Sequence, residues 1–386
     1  MRRFGLALFS LAVAACARQD VTAPLAPAPA ASFSRGGGGD DDRDDDDRGA
    51  VYTITNSTTG NAVRAFARAE NGALTFVADY PTGGTGTGGG LGNQGAIVFA
   101  RGDRFLIAVN ARSSQLSSFR ITRLGLSLVN TIASGGQTPV SVTSHGDVVY
   151  ALNAGGTGNI SGFHMSEGGT LSAIASSTRA LSSATAGAAQ VEFDPEGEQL
   201  VVTEKATNKI LTFQVGRDDR AGAAMVHASA GATPFGFEFT ERGLLIVSEA
   251  FGGAAGASAA SSYRLKEDGR LDLKSASVPT TQSAACWVVI TPNSDFAYVT
   301  NTGSNTITGY RIANNGSLTR LEANGISATT GAGPIDAALS ESGRYLYALN
   351  AGGHSISMFR VSSGGALVGI GTTTGIPVGA TGLAAR

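Results

Sequence analysis

Ala297-Tyr-Val-Thr-Asn-Thr-Gly-Ser-Asn-Thr-Ile-Thr-Gly-Tyr-Arg-Ile312 decides the fold of this chain. It reads as an apolar, β-branched run, a polar turn and a second apolar run, which is the pattern of two antiparallel strands. A relative of it returns roughly every 50 residues, a period that marks a stacked or circular array of supersecondary units. A single four-stranded unit cannot bury both of its faces. The repeat therefore predicts a closed ring of packed sheets, a β-propeller.

The register is carried by the polar residue that ends the first run: Asn56, Asn110, Asn153, Glu204, Glu249, Asn301 and Asn350. An aromatic follows each one: Phe66, Phe119, Phe163, Phe213, Tyr263, Tyr310 and Phe359. Tyr263 comes late because the small-residue stretch Gly252 to Ser258 lengthens that unit's loop. Turns such as Asn71-Gly72, Asp268-Gly269 and Asn315-Gly316 then lead to another apolar run, since Asn-Gly and Asp-Gly accept positive φ. A fourth strand precedes each unit, as in Gln190 to Phe193, Cys286 to Ile290 and Ile335 to Leu339. Seven units give an all-β, seven-bladed propeller of four-stranded antiparallel blades over residues 51–386. The first unit lacks its leading strand and the chain ends with a spare one, Val378 to Leu383, which predicts closure by the C-terminal strand.

The N-terminus reads differently. Arg2 and Arg3 precede an apolar run ending in Val13-Ala-Ala-Cys16, the layout of a secretory leader over residues 1–15. That ending resembles the bacterial lipobox, in which the cysteine becomes the lipidated first residue. The resemblance implies an exported protein anchored at the cell envelope through Cys16, and Ala17 in place of Asp after the cysteine implies the outer membrane where the cell has one. Residues 16–50 read as a Pro/Ala-, Gly- and Asp-rich tether too polar to fold alone.

Charge excludes one class of partner. Six of the 28 Lys and Arg and eight of the 30 Asp and Glu precede residue 49, so the propeller balances at zero net charge. It offers no basic footprint for nucleic acid. With Cys16 lipidated, Cys286 is a lone thiol, and the four histidines have no metal-ligand spacing, so neither metal nor cofactor is expected. Gly84-Thr-Gly-Thr-Gly-Gly89 fits a phosphate-loop pattern, but no helix follows it.

In a propeller the leading strands line the central channel. Aligning them on Phe99, Val142, Phe193, Phe239, Ile290 and Leu339 places Ala96, Pro139, Gln190, Gly236, Trp287 and Asp336 in one column, with Ala380 from the closing strand. Gln190, Trp287 and Asp336 are its contact-making members, a candidate small-molecule pocket. Glu204 and Glu249 stand where the other units carry a turn-forming Asn, and Lys205 follows Glu204. A Glu-Lys pair can activate water and polarise a carbonyl.

The units Ser340 to Asn350 and Phe193 to Thr203 resemble those of the lactonase family of seven-bladed propellers, and Tyr298-Val-Thr-Asn301 matches the YVTN repeat. That family includes 6-phosphogluconolactonase and carboxymuconate cyclase. The resemblance implies a lactone hydrolase. The residue columns above, not the resemblance, supply Glu204 and Asp336 as catalytic candidates and Gln190, Lys205, Glu249 and Trp287 as substrate contacts. Family enzymes carry an Arg-His pair after Gly-Pro; here Gly333-Pro-Ile-Asp336 replaces it. A sugar phosphate is then hard to hold. Two functions stand as expectations: an envelope hydrolase acting on a neutral or cationic lactone, or a non-catalytic propeller binding a small ligand or an envelope protein.

Overall fold

A computed structural model describes residues 49–386. The expected leader, Cys16 and nearly all of the expected tether lie outside the described residues. Gly49 and Ala50 already belong to the first strand, so the propeller begins two residues before the expected boundary.

Seven antiparallel sheets follow one another around a ring. The leading strands are Ile97–Ala100, Gln137–His145, Ala188–Phe193, Pro234–Phe239, Ala285–Ile290, Pro334–Leu339 and Thr381–Ala385. Each packs against the next, and the last packs against the first. The outer edges of the third and sixth blades are broken into two short strands, Leu171–Ala173 with Arg179–Ala180 and Leu318–Arg320 with Ala328–Thr329.

Closure occurs as the spare strand predicts, with a shifted boundary. Thr381–Ala385 pairs antiparallel with Gly49–Ile54, joining Val51 to Ala385 and Tyr52 to Ala384. Arg386 extends the pairing by exchanging backbone bonds with Ala50, at 3.1 and 2.9 Å. Val378 is not in this strand. The Ala380 N–H bonds to the Pro377 carbonyl at 3.2 Å, and Gly379 takes φ +85°, so Pro377 to Ala380 is a turn with Val378 exposed at its tip.

The blades are held apart from water by side chains between sheets. Tyr150, Phe163, Phe213, Tyr298, Tyr310 and Tyr347 are fully buried. All four tyrosine hydroxyls reach carbonyls of a neighbouring blade: Tyr150 to Asp219, Tyr310 to Val278, Tyr298 to Gly365 and Tyr347 to Gly72, all at 2.8 to 2.9 Å. The polar column lies at the strand ends. Asn301 donates to Thr306 and Thr308, and Asn350 donates to Ser355 and Ser357, each tying its turn to the next strand.

Candidate functional site

The leading strands place alternate side chains toward the axis, so residues two apart on one strand share the channel wall. Gln190 and Asp336 are there, as the column predicts. Pro139 is not their equivalent. Ser141 pairs with Leu152, one residue before Asn153, just as Gln190 pairs with Thr203 before Glu204 and Asp336 with Leu349 before Asn350. The leading strand of the third blade is longer, and aligning it on Val142 displaces it by two.

The channel is closed at one end by the chain itself. The connection between the first two blades turns inward, and Asn93 and Gln94 are buried. The Gln94 amide reads both backbone groups of Val288 across the ring, donating at 2.7 Å and accepting at 3.0 Å. The Trp287 indole N–H donates to the Asn93 carbonyl at 2.6 Å, and the Asn93 amide donates to Val140. Trp287 is thus a support for this plug, packed on Phe235 with ring centroids 5.1 Å apart. Gly236 leaves the room, because a Cβ there would lie 2.1 Å from the Gln94 side chain. Lys205 bonds the Gly92 carbonyl from above and sits 4.6 Å from the Phe235 ring. Burial lowers its amine to about 8. Beneath it the Cys286 thiol is buried and pushed up to about 12, which leaves it unreactive.

The glycines of the phosphate-like motif serve the same connection. A Cβ on Gly84 or Gly86 would strike Asn110 or Asn56 at 2.5 and 2.2 Å. They permit close passage over the polar column.

On the other side of the plug lies a cavity of about 420 Å³, lined by Gln94, Gln190, Glu192, Glu238 and Asp336 among apolar neighbours, with Glu341 near its rim. Among the described residues no basic side chain lines it. Glu192 and Glu238 occupy the same position on adjacent leading strands, two residues after Gln190 and Gly236. Both residues are half-buried and line the cavity. Burial raises both above the ordinary carboxylate range, and each charge disfavours the other. The Gln190 amide donates to Glu192 at 2.8 Å and brackets the Phe237 backbone at 2.7 to 2.8 Å. Asp336 is also raised by burial; one oxygen accepts the Ala337 N–H at 2.8 Å, and the Leu383 backbone N–H also faces the carboxylate, both partly opposing that rise.

Glu204 and Glu249 are not brought to this cavity. Glu204 is fully buried and accepts the Ser182 N–H at 2.8 Å and the Ser182 and Thr207 hydroxyls at 2.5 Å. Glu249 accepts the Gly231 N–H at 2.8 Å and the Ser277 hydroxyl at 2.7 Å, with a further bond from Ser261. A carboxylate suits these two turns because every neighbour is a donor. The expected pairing of Glu204 with Lys205 is not formed; the lysine turns to Gly92 instead.

The missed pair, Glu192 and Glu238, was readable in principle. Period-two alternation from Gln190 points at Glu192, and the repeat carries that position to Glu238. Among the described residues no group of three His, Cys, Asp or Glu side chains is arranged to hold a metal ion.

The family described as "Lactonase, 7-bladed beta-propeller" matches residues 254–381. No curated protein matches the sequence. A putative 6-phosphogluconolactonase from Bacteroides fragilis superposes with a TM-score of 0.71 at 18% identity, covering 90% of this chain and 100% of that one. One from Bacteroides uniformis gives 0.70 at 19%, covering 87% and 99%. The periplasmic gluconolactonase PpgL of Pseudomonas aeruginosa gives 0.69 at 15%, covering 87% and 98%. The chain shares their fold. The family match covers the outer half of the fifth blade and the sixth and seventh blades, up to the first residue of the closing strand.

Proposed function

We propose that this protein is a lactonase-type propeller that hydrolyses an uncharged or cationic lactone in the plugged channel. The family match and the fold support the reaction class. The observation that carries the substrate class is a cavity walled by Glu192, Glu238 and Asp336 with no basic side chain. A phosphorylated or carboxylated lactone finds no cationic partner there.

Two neighbouring carboxyls of raised pKa supply an acid and a base. Glu192, fixed by the Gln190 amide, takes a proton from water as the water oxygen bonds to the lactone carbonyl carbon. The tetrahedral adduct breaks its ring C–O bond, and the neutral Glu238 carboxyl gives its proton to the departing alkoxide. The hydroxy acid formed ionises and is expelled from an acidic channel. Proton exchange with solvent restores the pair. Glu204, with its oxygens already engaged, stands outside this scheme.

A panel of neutral, cationic and phosphorylated lactones offered to the full chain tests the reading. Turnover of neutral or cationic members is expected, with Glu238→Gln lowering kcat by about 10²-fold or more. Binding without turnover of any lactone would make the protein a ligand-binding propeller instead.

We place the mature protein at the bacterial cell envelope, lipidated on Cys16. The leader pattern supports this, as does the periplasmic location of a protein with the same fold. Among the described residues no helix is long and apolar enough to cross a membrane. Cys16→Ser is expected to abolish fatty-acid labelling, and retained label would place the lipid elsewhere.

A further inference from the structure

A second cavity, of about 730 Å³, opens beside the channel mouth and shares Glu341 with it. Four arginines line it: Arg104, Arg120, Arg123 and Arg386. Among the described residues none of them forms an ion pair with a carboxylate, whereas Arg64, Arg220 and Arg270 elsewhere each do. Asp103 and Glu341 are the acidic residues of the lining, so positive charge prevails.

The cluster is held in place mainly by contacts to carbonyls and an aromatic ring, and Asp103 lies close enough to Arg386 to offset part of its charge. The Arg104 Nε donates to the Arg101 carbonyl at 3.1 Å, and Arg120 Nη2 donates to the Gly168 carbonyl at 3.0 Å. Both guanidinium groups lie near the Phe105 ring, at 5.9 and 5.1 Å from its centroid. Arg386 is fixed through its backbone at the ring closure. Gathering like charges around one hollow costs energy that a bound anion offsets, and guanidinium groups match planar or tetrahedral oxyanions in geometry.

We infer that this pocket is an anion-binding site for a ligand that presents clustered carboxylate or phosphate oxygens. The inference is independent of the chemistry in the channel. Two sources offer that chemistry. One is a free polyanion. The other is the chain itself, whose sequence carries seven aspartates between Asp40 and Asp47. It enters the fold at Gly49, directly against the Arg386 carbonyl. A segment so close in sequence has a high effective concentration at the pocket.

Calorimetric titration of the full chain with inorganic tripolyphosphate at low ionic strength tests the site. Three proteins are compared: the native chain, a variant with the seven aspartates changed to Asn, and Arg104→Gln/Arg123→Gln. The Arg changes are at exposed positions, and thermal melting verifies that the fold persists. Binding by the native chain, weakened at least about tenfold in the arginine variant, identifies a site open to free anions. Binding that strengthens about tenfold or more when the aspartates are neutralised identifies those residues as the occupant. No binding by either the native chain or the Asn variant, or equal affinity in the arginine variant, overturns the inference.

Discussion

At the strand ends, one residue type per blade does the same work with different chemistry. Asn serves where the turn offers both donors and acceptors. Glu204 and Glu249 serve where the surroundings offer only donors, from Ser182, Thr207, Gly231, Ser261 and Ser277. The deviation from Asn marks a change of environment, each carboxylate being ringed by donors of its own turn. Glu204→Gln puts an NH2 group against donors inside a closed turn. Urea unfolding is expected to show a loss of about 1–3 kcal/mol, while turnover of any confirmed lactone remains. A variant as stable as the native chain would mean that the turn tolerates the amide. The reverse balance is expected in the channel. Glu238→Gln removes a charge that burial disfavours, so it should cost activity and not stability at alkaline pH.

The elements that matter most are two connections. The closing strand Thr381–Ala385 completes the first blade and removes two exposed edges at once. Truncation after Ala380 leaves the first blade without its inner strand. Loss of more than about 3 kcal/mol, seen as a collapse of the thermal transition or as association through the free edge, is expected. A truncated chain that melts as a monomer with the native transition would contradict it. The plug between the first two blades was not foreseen. Its sequence, Gly88-Gly-Gly-Leu-Gly-Asn-Gln-Gly95, reads as a flexible surface loop. It lies inside because Gln94 pairs with the Val288 backbone and Asn93 with Trp287 and Val140, bonds between residues nearly 200 or about 50 positions apart. Gln94→Ala would leave the Val288 N–H and carbonyl without these partners. Faster amide exchange at Val288 is the expected signature, and unchanged protection would show the plug to be held elsewhere.

For the whole molecule, acidity concentrated in the channel sets a pH dependence. Glu192, Glu238 and Asp336 are all raised by burial in the folded state. A raised carboxyl contributes no penalty below its unfolded value of about 4, where it is neutral in both states. Stability then falls as pH rises from there through the folded values, because ionisation is easier in the unfolded chain. Unfolding free energy is therefore expected to decline between mildly acidic and mildly alkaline pH, and Glu192→Gln/Glu238→Gln should flatten the decline. A double variant with the native pH profile would place the responsible groups outside the channel.

The sequence by itself determined the repeat, the number of blades, the strand closure and the axial positions of Gln190 and Asp336. These follow from local alternation, turn chemistry and a fixed period, which a linear reading can detect. It also contained Glu192 and Glu238 in an axial position, legible once Gln190 is assigned to the channel. Only the tertiary structure decided that Glu204 and Glu249 are satisfied turn acceptors, that Trp287 supports a plug rather than an open wall, and that Ser141 replaces Pro139. Each of those depends on which groups meet across blades. Such meetings are fixed by ring closure and by the burial of polar atoms that must find partners, and neither leaves a periodic trace along the chain.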